Sequence, residues 1–271
     1  MLNTQFIRQI GLMKWAPRYF TFQFQKRILK REMSMRLPTG SKLILPLDHS
    51  ASNIYITKAN IDWGAEALLS KFADPYRDFL DIGANIGYYS NYLSPLVKNV
   101  YAFEPDPRNL PALMRNAATR DNIIVSQVAI SSKDGNAKLA ITKGSTTNTL
   151  EPLKGVETID VKLSSIDSFV ARTPSIDVAL IKTDIEGHDL QALFGMEETV
   201  KVFQPLILSE IVIDQRLLDL ARRWKYRLFA FVCNKSTFEI SLKQFSLNEI
   251  PEDWYNMVFL VPPRLVDFGQ S

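Results

Sequence analysis

Residues 79–87 read Phe79-Leu-Asp81-Ile-Gly83-Ala84-Asn85-Ile-Gly87, and the next apolar stretch runs Val100-Tyr-Ala-Phe-Glu104-Pro-Asp106. A short apolar strand enters a glycine turn, and a second strand ends on a carboxylate. This is the pattern of a dinucleotide-type α/β unit. Its charges select the ligand. In an NAD site the glycine turn faces a pyrophosphate, which an acid at Asp81 would repel. S-adenosylmethionine (SAM) has no phosphate, and its sulfonium and α-ammonium both favour a nearby carboxylate. Gly83 and Gly87 allow close approach of the backbone to the methionine part, with Ala84 and Asn85 between them. Glu104 can accept hydrogen bonds from both ribose hydroxyls. Tyr88 directly follows the turn; it is either a packing residue or a cofactor contact.

Strands and helices alternate outward from this unit. After Phe79–Ile82 the pattern predicts a helix over Ile86–Tyr92 and a second strand over Val100–Glu104. The next helix is expected to start at Asp106-Pro107, with Asp as cap and Pro at the first helical position. Further strands are expected over Ile123–Ala129, Val178–Lys182, Pro205–Leu208, Tyr226–Val232 and Met257–Val261. Ala137–Ile141 and Thr158–Leu163 read as an inserted hairpin. Alternation of this kind predicts a doubly wound sheet whose ligands bind at the carboxyl ends of the strands. Asp81, Glu104, Asp184 and Glu210 all fall at such ends. Gln127 and Ala129 close the third strand and are candidate base contacts, against the alternative of an ordinary strand exit.

Strand four runs into Lys182-Thr-Asp184-Ile-Glu186-Gly-His188-Asp189. Asp184 and Glu186 are two apart, so in extended backbone they point the same way. They are candidates to hold a substrate hydroxyl, or with Glu210 a divalent cation such as Mg²⁺ or Mn²⁺. The competing reading is a helix N-terminus, where acids favour the macrodipole. His188 is a candidate general base, or else an exposed first-turn histidine. His49 reads as a loop residue.

The chain has 271 residues and a single cysteine, Cys233, so no intrachain disulfide can form. A reducing, cytoplasmic setting is expected. No stretch of about 18 apolar residues suggests a membrane span. Residues 1–36 hold eight basic residues against Glu32 alone, so this segment carries +7 of a net +3 and the remainder −4. Trp15, Phe20, Phe22 and Phe24 lie among these charges. The composition suits an interfacial anchor in which those aromatics enter the headgroup region while Lys26, Arg27, Lys30 and Arg31 meet anionic lipid at the inner face of a membrane. It equally suits a helix packed on the core or on a second subunit, so an oligomer stays open. The expected organisation is an arm over 1–36, a prelude over 37–75 and the main domain over 76–271. In the prelude, Lys42–Leu47 and Asn53–Thr57 read as strands and Ala65–Phe72 as a helix. No nucleic-acid-binding motif is present, so nucleic acid is not an expected partner.

The chain resembles the FkbM-type SAM-dependent methyltransferases. The resemblance rests on Asp81-Ile-Gly-Ala-Asn-Ile-Gly-Tyr-Tyr-Ser90, Val100-Tyr-Ala-Phe-Glu-Pro105, Asn116, Val128-Ala129 and Lys182-Thr-Asp-Ile-Glu-Gly187, and covers roughly residues 37–211. It implies a class I SAM-dependent methyltransferase fold: a Rossmann-like doubly wound sheet with an antiparallel last strand. It implies O-methylation of a sugar, glycan, glycolipid or polyketide hydroxyl. By position, Asp81, Gly83, Asn85, Gly87 and Glu104 would bind SAM, and Asp184 with Glu186 would face the transfer site. His188-Asp189 stands where the family commonly has Ala-Glu, and the role of that acidic position is left open. The basic arm lies outside the resemblance. Two other readings remain: an NAD-type oxidoreductase on the same fold, against which Asp81 and the lack of Gly-x-Gly-x-x-Gly count, and a non-catalytic protein of this fold that works through its arm.

Overall fold

The quoted motif forms the middle of an eight-stranded sheet. The computed structural model describes residues 4–47, 51–142, 149–150, 155–234 and 236–269, which leaves His49 outside the described residues. In chain order the strands are β1 (Met33–Arg36), β2 (Lys42–Leu45), β3 (Asp78–Ile82), β4 (Val100–Phe103), β5 (Ile123–Ser126), β6 (Ala129–Ile130), β7 (Gly135–Ile141), β8 (Glu157–Ser164), β9 (Val178–Thr183), β10 (Leu206–Ser209), β11 (Arg227–Cys233), β12 (Ile240–Phe245) and β13 (Tyr255–Val261). The large sheet runs β12-β11-β13-β10-β9-β3-β4-β5. Strands β10, β9, β3, β4 and β5 are parallel. Strand β13 lies antiparallel between β10 and β11, the antiparallel last strand that the resemblance implies. This is the class I SAM-dependent methyltransferase fold.

The central strands are apolar runs because both faces of the sheet are covered. Phe79, Leu180 and Leu208 point into one core with Tyr92, Leu113 and Phe259. Their neighbours Leu80, Ile181 and Ile207 point into the other with Ile166, Leu190 and Leu217. The period of two thus divides one sheet between two cores. Burying a Leu or Phe of this kind stabilises by about 1.5–3 kcal/mol. The expected hairpin is β7–β8, which pairs antiparallel and joins β6 in a separate three-stranded sheet.

Several expected elements differ. Residues Ser52–Thr57 form a helix rather than a strand. The alternation of Ile54 and Ile56 suggested an extended chain, but Ile54 packs into the main core while Ile56 packs with Phe6 and Trp15 of the preceding segment, so apolar residues are needed on two sides of one helical turn. The first helix after the glycine turn spans Tyr88–Leu93, starting beyond Gly87, whose φ is 84°. The second spans Leu110–Ala117 and is preceded by Asn109, three residues later than the Asp106 signal. Asp106 instead accepts from the Arg108 backbone N–H at 2.8 Å and pairs with the Arg108 guanidinium. Strand β12, an edge strand of mixed polarity, was not expected at all.

Residues 4–29 are helical apart from Gly11: Thr4–Ile10, Leu12–Phe24 and a π-helical continuation Gln25–Leu29. One face packs on the molecule. Trp15 sits with Phe6 and Ile56, and Phe22 enters the main core. Arg18 donates to the Ile56 carbonyl at 2.6 Å and Gln9 to that of Asn60 at 2.8 Å. Strand β1 then pairs with β2 across the Leu37-Pro-Thr-Gly40 turn, so chain pairing runs through position 36.

Candidate active site

A cavity of about 440 Å³ opens at the carboxyl ends of β3, β4, β9 and β10. The glycine turn forms its floor. Gly83 has φ 75°, and a Cβ there would lie 2.0 Å from the Asp184 carbonyl oxygen. Only glycine lets the ends of β3 and β9 touch at this point. At Gly87 a Cβ would come within 2.9 Å of Leu113. Asn85, between them, also has positive φ, at 51°.

Glu104 reaches into the cavity wall from the end of β4. It accepts from the Asn85 and Asp106 backbone N–H groups at 2.8 and 3.0 Å and from the Asn109 amide at 3.2 Å. Burial outweighs these bonds and pushes its carboxyl up to about 7. Among the described residues no ion pair reaches Glu104, and a buried carboxylate of this kind favours a ligand that brings donors or positive charge. Ala84, Asn85, Tyr88 and Ala129 also line the cavity, together with Val128. Gln127 is exposed and is not among the lining residues; the cavity wall begins one residue later, at Val128.

Asp81 does not line the cavity. It is fully buried beneath the turn, accepts from the Ser90 hydroxyl, and lies 3.7 Å from the Lys182 ammonium. Burial raises its carboxyl while Lys182 pulls it down. Lys182, on β9, is itself 3% exposed. Its Nζ donates to the Gly83 carbonyl at 2.9 Å and stands 3.4 Å from Asp184. Burial lowers its basicity, but Asp184 and Asp81 more than reverse this, so it stays charged. One ammonium thus ties the glycine turn to the acidic end of the cavity.

Asp184, Glu186 and Glu210 bring carboxylate oxygens within 4.8 Å of one another. Asp184 and Glu186 do converge, but through a turn rather than through extended backbone: Glu186 has φ 53° and Gly187 φ 88°. The Thr149 hydroxyl donates to the Glu186 carbonyl at 2.8 Å. Burial raises Asp184, but Lys182 and a hydrogen bond from Glu210 more than reverse this and hold it ionised. Burial and Asp184 push Glu210 far up, so Glu210 carries the proton that Asp184 shares. Burial and Asp184 also raise Glu186, to about 7. This cluster is a poor fit for a resident divalent cation. A cation there would stand beside the buried Lys182 ammonium, 3.4 Å from Asp184, which already neutralises part of the cluster.

His188 is not brought into the cavity. Its Nε2 lies 3.0 Å from the Ser131 hydroxyl, at the start of the helix Asp189–Phe194. Asp189 is buried and accepts from the Ile185 N–H; burial and the neighbouring Asp184 raise it to about 6, against hydrogen bonds from Thr183 and Ile185.

The family described as the methyltransferase FkbM domain matches residues 81–238. The chain belongs to this family. It is also 26% identical over 122 residues to the hexuronic acid methyltransferase AglP of Haloferax volcanii, a match covering 45% of this chain and 50% of that protein. The chain therefore spans about half the length of the curated relative it matches. Among solved structures, methyltransferase FkbM from Methylobacillus flagellatus KT is 17% identical with a TM-score of 0.43, covering 90% of this chain and 58% of that one. M. capricolum TrmK, in complex with S-adenosylhomocysteine, is 13% identical with a TM-score of 0.40, covering 73% and 68%.

Residues on either side of the matched FkbM domain bring further acids to the same cavity that no motif announces. Asp62 lines it and accepts from the Tyr89 hydroxyl at 2.6 Å and from the Asn256 amide. Glu66, behind Asp62, accepts from the Tyr88 hydroxyl at 3.0 Å and from the Ile61 N–H at 2.7 Å. Burial raises both carboxyls; Asp184 adds to the rise at Asp62, and Asp62 to the rise at Glu66. Asp62 and Asn256 are 194 residues apart. The only local trace of Lys182 was a charged residue inside an apolar strand, which is an outlier in itself.

Proposed function

We propose that the protein is a SAM-dependent O-methyltransferase acting on a hydroxyl of a sugar, glycan, glycolipid or related natural product. One observation carries the reading. Among the described residues, six carboxyl side chains line the cavity (Asp62, Glu104, Asp106, Asp184, Glu186 and Glu210), with Asp106 paired to Arg108, against one lining ammonium, that of Lys182. Such walls repel a pyrophosphate and favour a cationic ligand. The volume lies within the usual range of about 300–1,000 Å³ for ligand sites. The Gly83 cradle and the donor-seeking Glu104 fit the methionine and ribose parts of SAM. The name of AglP, a hexuronic acid methyltransferase, favours a sugar acceptor.

When bound, SAM supplies a methyl group on a sulfonium, which a hydroxyl oxygen takes in line. The chain's own residues align and desolvate the reactants. Glu104 orients the ribose hydroxyls. Asp184, held ionised by Lys182, accepts a hydrogen bond from the acceptor hydroxyl. Glu186, raised to about 7, takes up its proton near neutral pH. His188 has no part in this scheme. The test is incubation with methyl-labelled SAM and a panel of glycans and glycolipid extracts, beside thermal shifts with SAM, S-adenosylhomocysteine and NAD. Label in an alkali-stable ether on a sugar is the expected result. Stabilisation by NAD and not by SAM would overturn the reading in favour of the oxidoreductase.

A further inference from the structure

The helical segment at residues 12–29 presents one apolar ridge to solvent. Met13, Phe20, Phe24 and Ile28 are 92, 67, 53 and 66% exposed. Their spacings, with Pro17 between the first two, are three or four residues and place them on one helical face. Of the aromatics expected to reach lipid, Trp15 and Phe22 are instead buried against the protein, while Phe20 and Phe24 remain on the ridge. Lys14, Arg27, Lys30 and Arg31 beside it are all exposed. No Asp or Glu occurs in residues 1–31, and the first acid, Glu32, is paired with Arg115 at 2.9 Å.

We propose that this ridge lies on an anionic lipid surface. The buried face holds the helix to the protein, so the outer face is free to meet a second phase. An apolar line flanked only by cations matches an interface that is apolar within and anionic at its rim. A second copy of the chain is a worse match, because face-to-face arms would bring two +7 segments together. No described helix is long and apolar enough to cross a membrane, so the segment lies on the surface. Phe6, from the helix packed on the inner face, lines the cavity, so the docking element borders the candidate active site. The proposal does not depend on the reaction proposed above.

Co-sedimentation of the full chain with phosphatidylcholine vesicles, with and without phosphatidylglycerol, tests it. Binding should require phosphatidylglycerol and weaken in high salt. Arg27→Gln and Lys30→Gln should each reduce partitioning about fivefold. The double variant Phe20→Ser/Phe24→Ser, which removes only exposed side chains, should abolish binding while its melting temperature and circular dichroism stay those of the wild type. Indifference to anionic vesicles, or binding that survives the double variant, would overturn the proposal. So would a double variant that dissociates an oligomer, which would make the ridge a contact between copies.

Discussion

Replacing Lys182 by Met tests the charge arrangement at the centre of the molecule. Met keeps most of the apolar stem and removes the ammonium, so loss of packing is small. What remains is Asp81, fully buried, with one oxygen that has no hydrogen bond and relied on Lys182 at 3.7 Å, and Asp184, which loses a cation at 3.4 Å. Leaving a buried charge unpaired costs about 3–5 kcal/mol. At about 2–4 °C per kcal/mol for a chain of this size, the melting temperature should fall by roughly 6–20 °C. The neutral pair Asp81→Asn/Lys182→Met should regain a large part of that loss, because it removes the charge that was stranded. Denaturant unfolding of the wild type, both single variants and the double variant closes the cycle. A Lys182→Met protein within about 1 kcal/mol of the wild type would refute the arrangement. So would a double variant no more stable than Lys182→Met alone.

Three further outcomes are expected. Glu104→Gln keeps the shape but loses a charged acceptor; at about 1.5–3 kcal/mol this lowers SAM affinity roughly ten- to a hundredfold by calorimetry, and wild-type affinity would remove Glu104 from the site. Asp184→Asn should leave SAM affinity intact and lower turnover by about 10²-fold, and the activity of the wild type should survive a chelator; full turnover in Asp184→Asn would refute its role at the acceptor. In the ligand-free protein, Glu104 is raised from 4.5 to about 7 and Asp189 from 3.8 to about 6. A raised folded-state value contributes stability below the unfolded one and loses it as pH climbs through the folded one, so the melting temperature should fall between about pH 4 and pH 7; a flat or rising profile there would contradict these burials.

The fold was legible because its central strands announce themselves twice. Phe79–Ile82 and Val178–Lys182 are apolar runs bounded by turn chemistry, and the buried sheet then divides their side chains between two cores. Edge elements carry no such signal. Strand β12 is partly polar because one flank of it meets water, and Ser52–Thr57 alternates like a strand although its two isoleucines serve different clusters. In that segment the local pattern was outvoted by what each side chain had to pack against.

The site was legible only where one stretch of chain carries both the turn and the charge. Glu104 and Asp184 are of that kind, each the first acid beyond an apolar strand. The acids around Asp62 are not, since a partnership with Asn256 forms only when β13 is laid between β10 and β11. Asp81 shows the limit most clearly. Its position before the glycine turn suggested direct contact with a cationic ligand, yet the pleat turns it under the sheet, where it holds Lys182. The ammonium in turn reaches the Gly83 carbonyl and Asp184, so the charge of Asp81 is relayed to the cavity through Lys182. A motif can therefore place an acid at a strand end without saying which neighbour its side chain meets. Spacing along the chain fixes which strand end a side chain occupies, while the face it points to depends on the register of three strands at once.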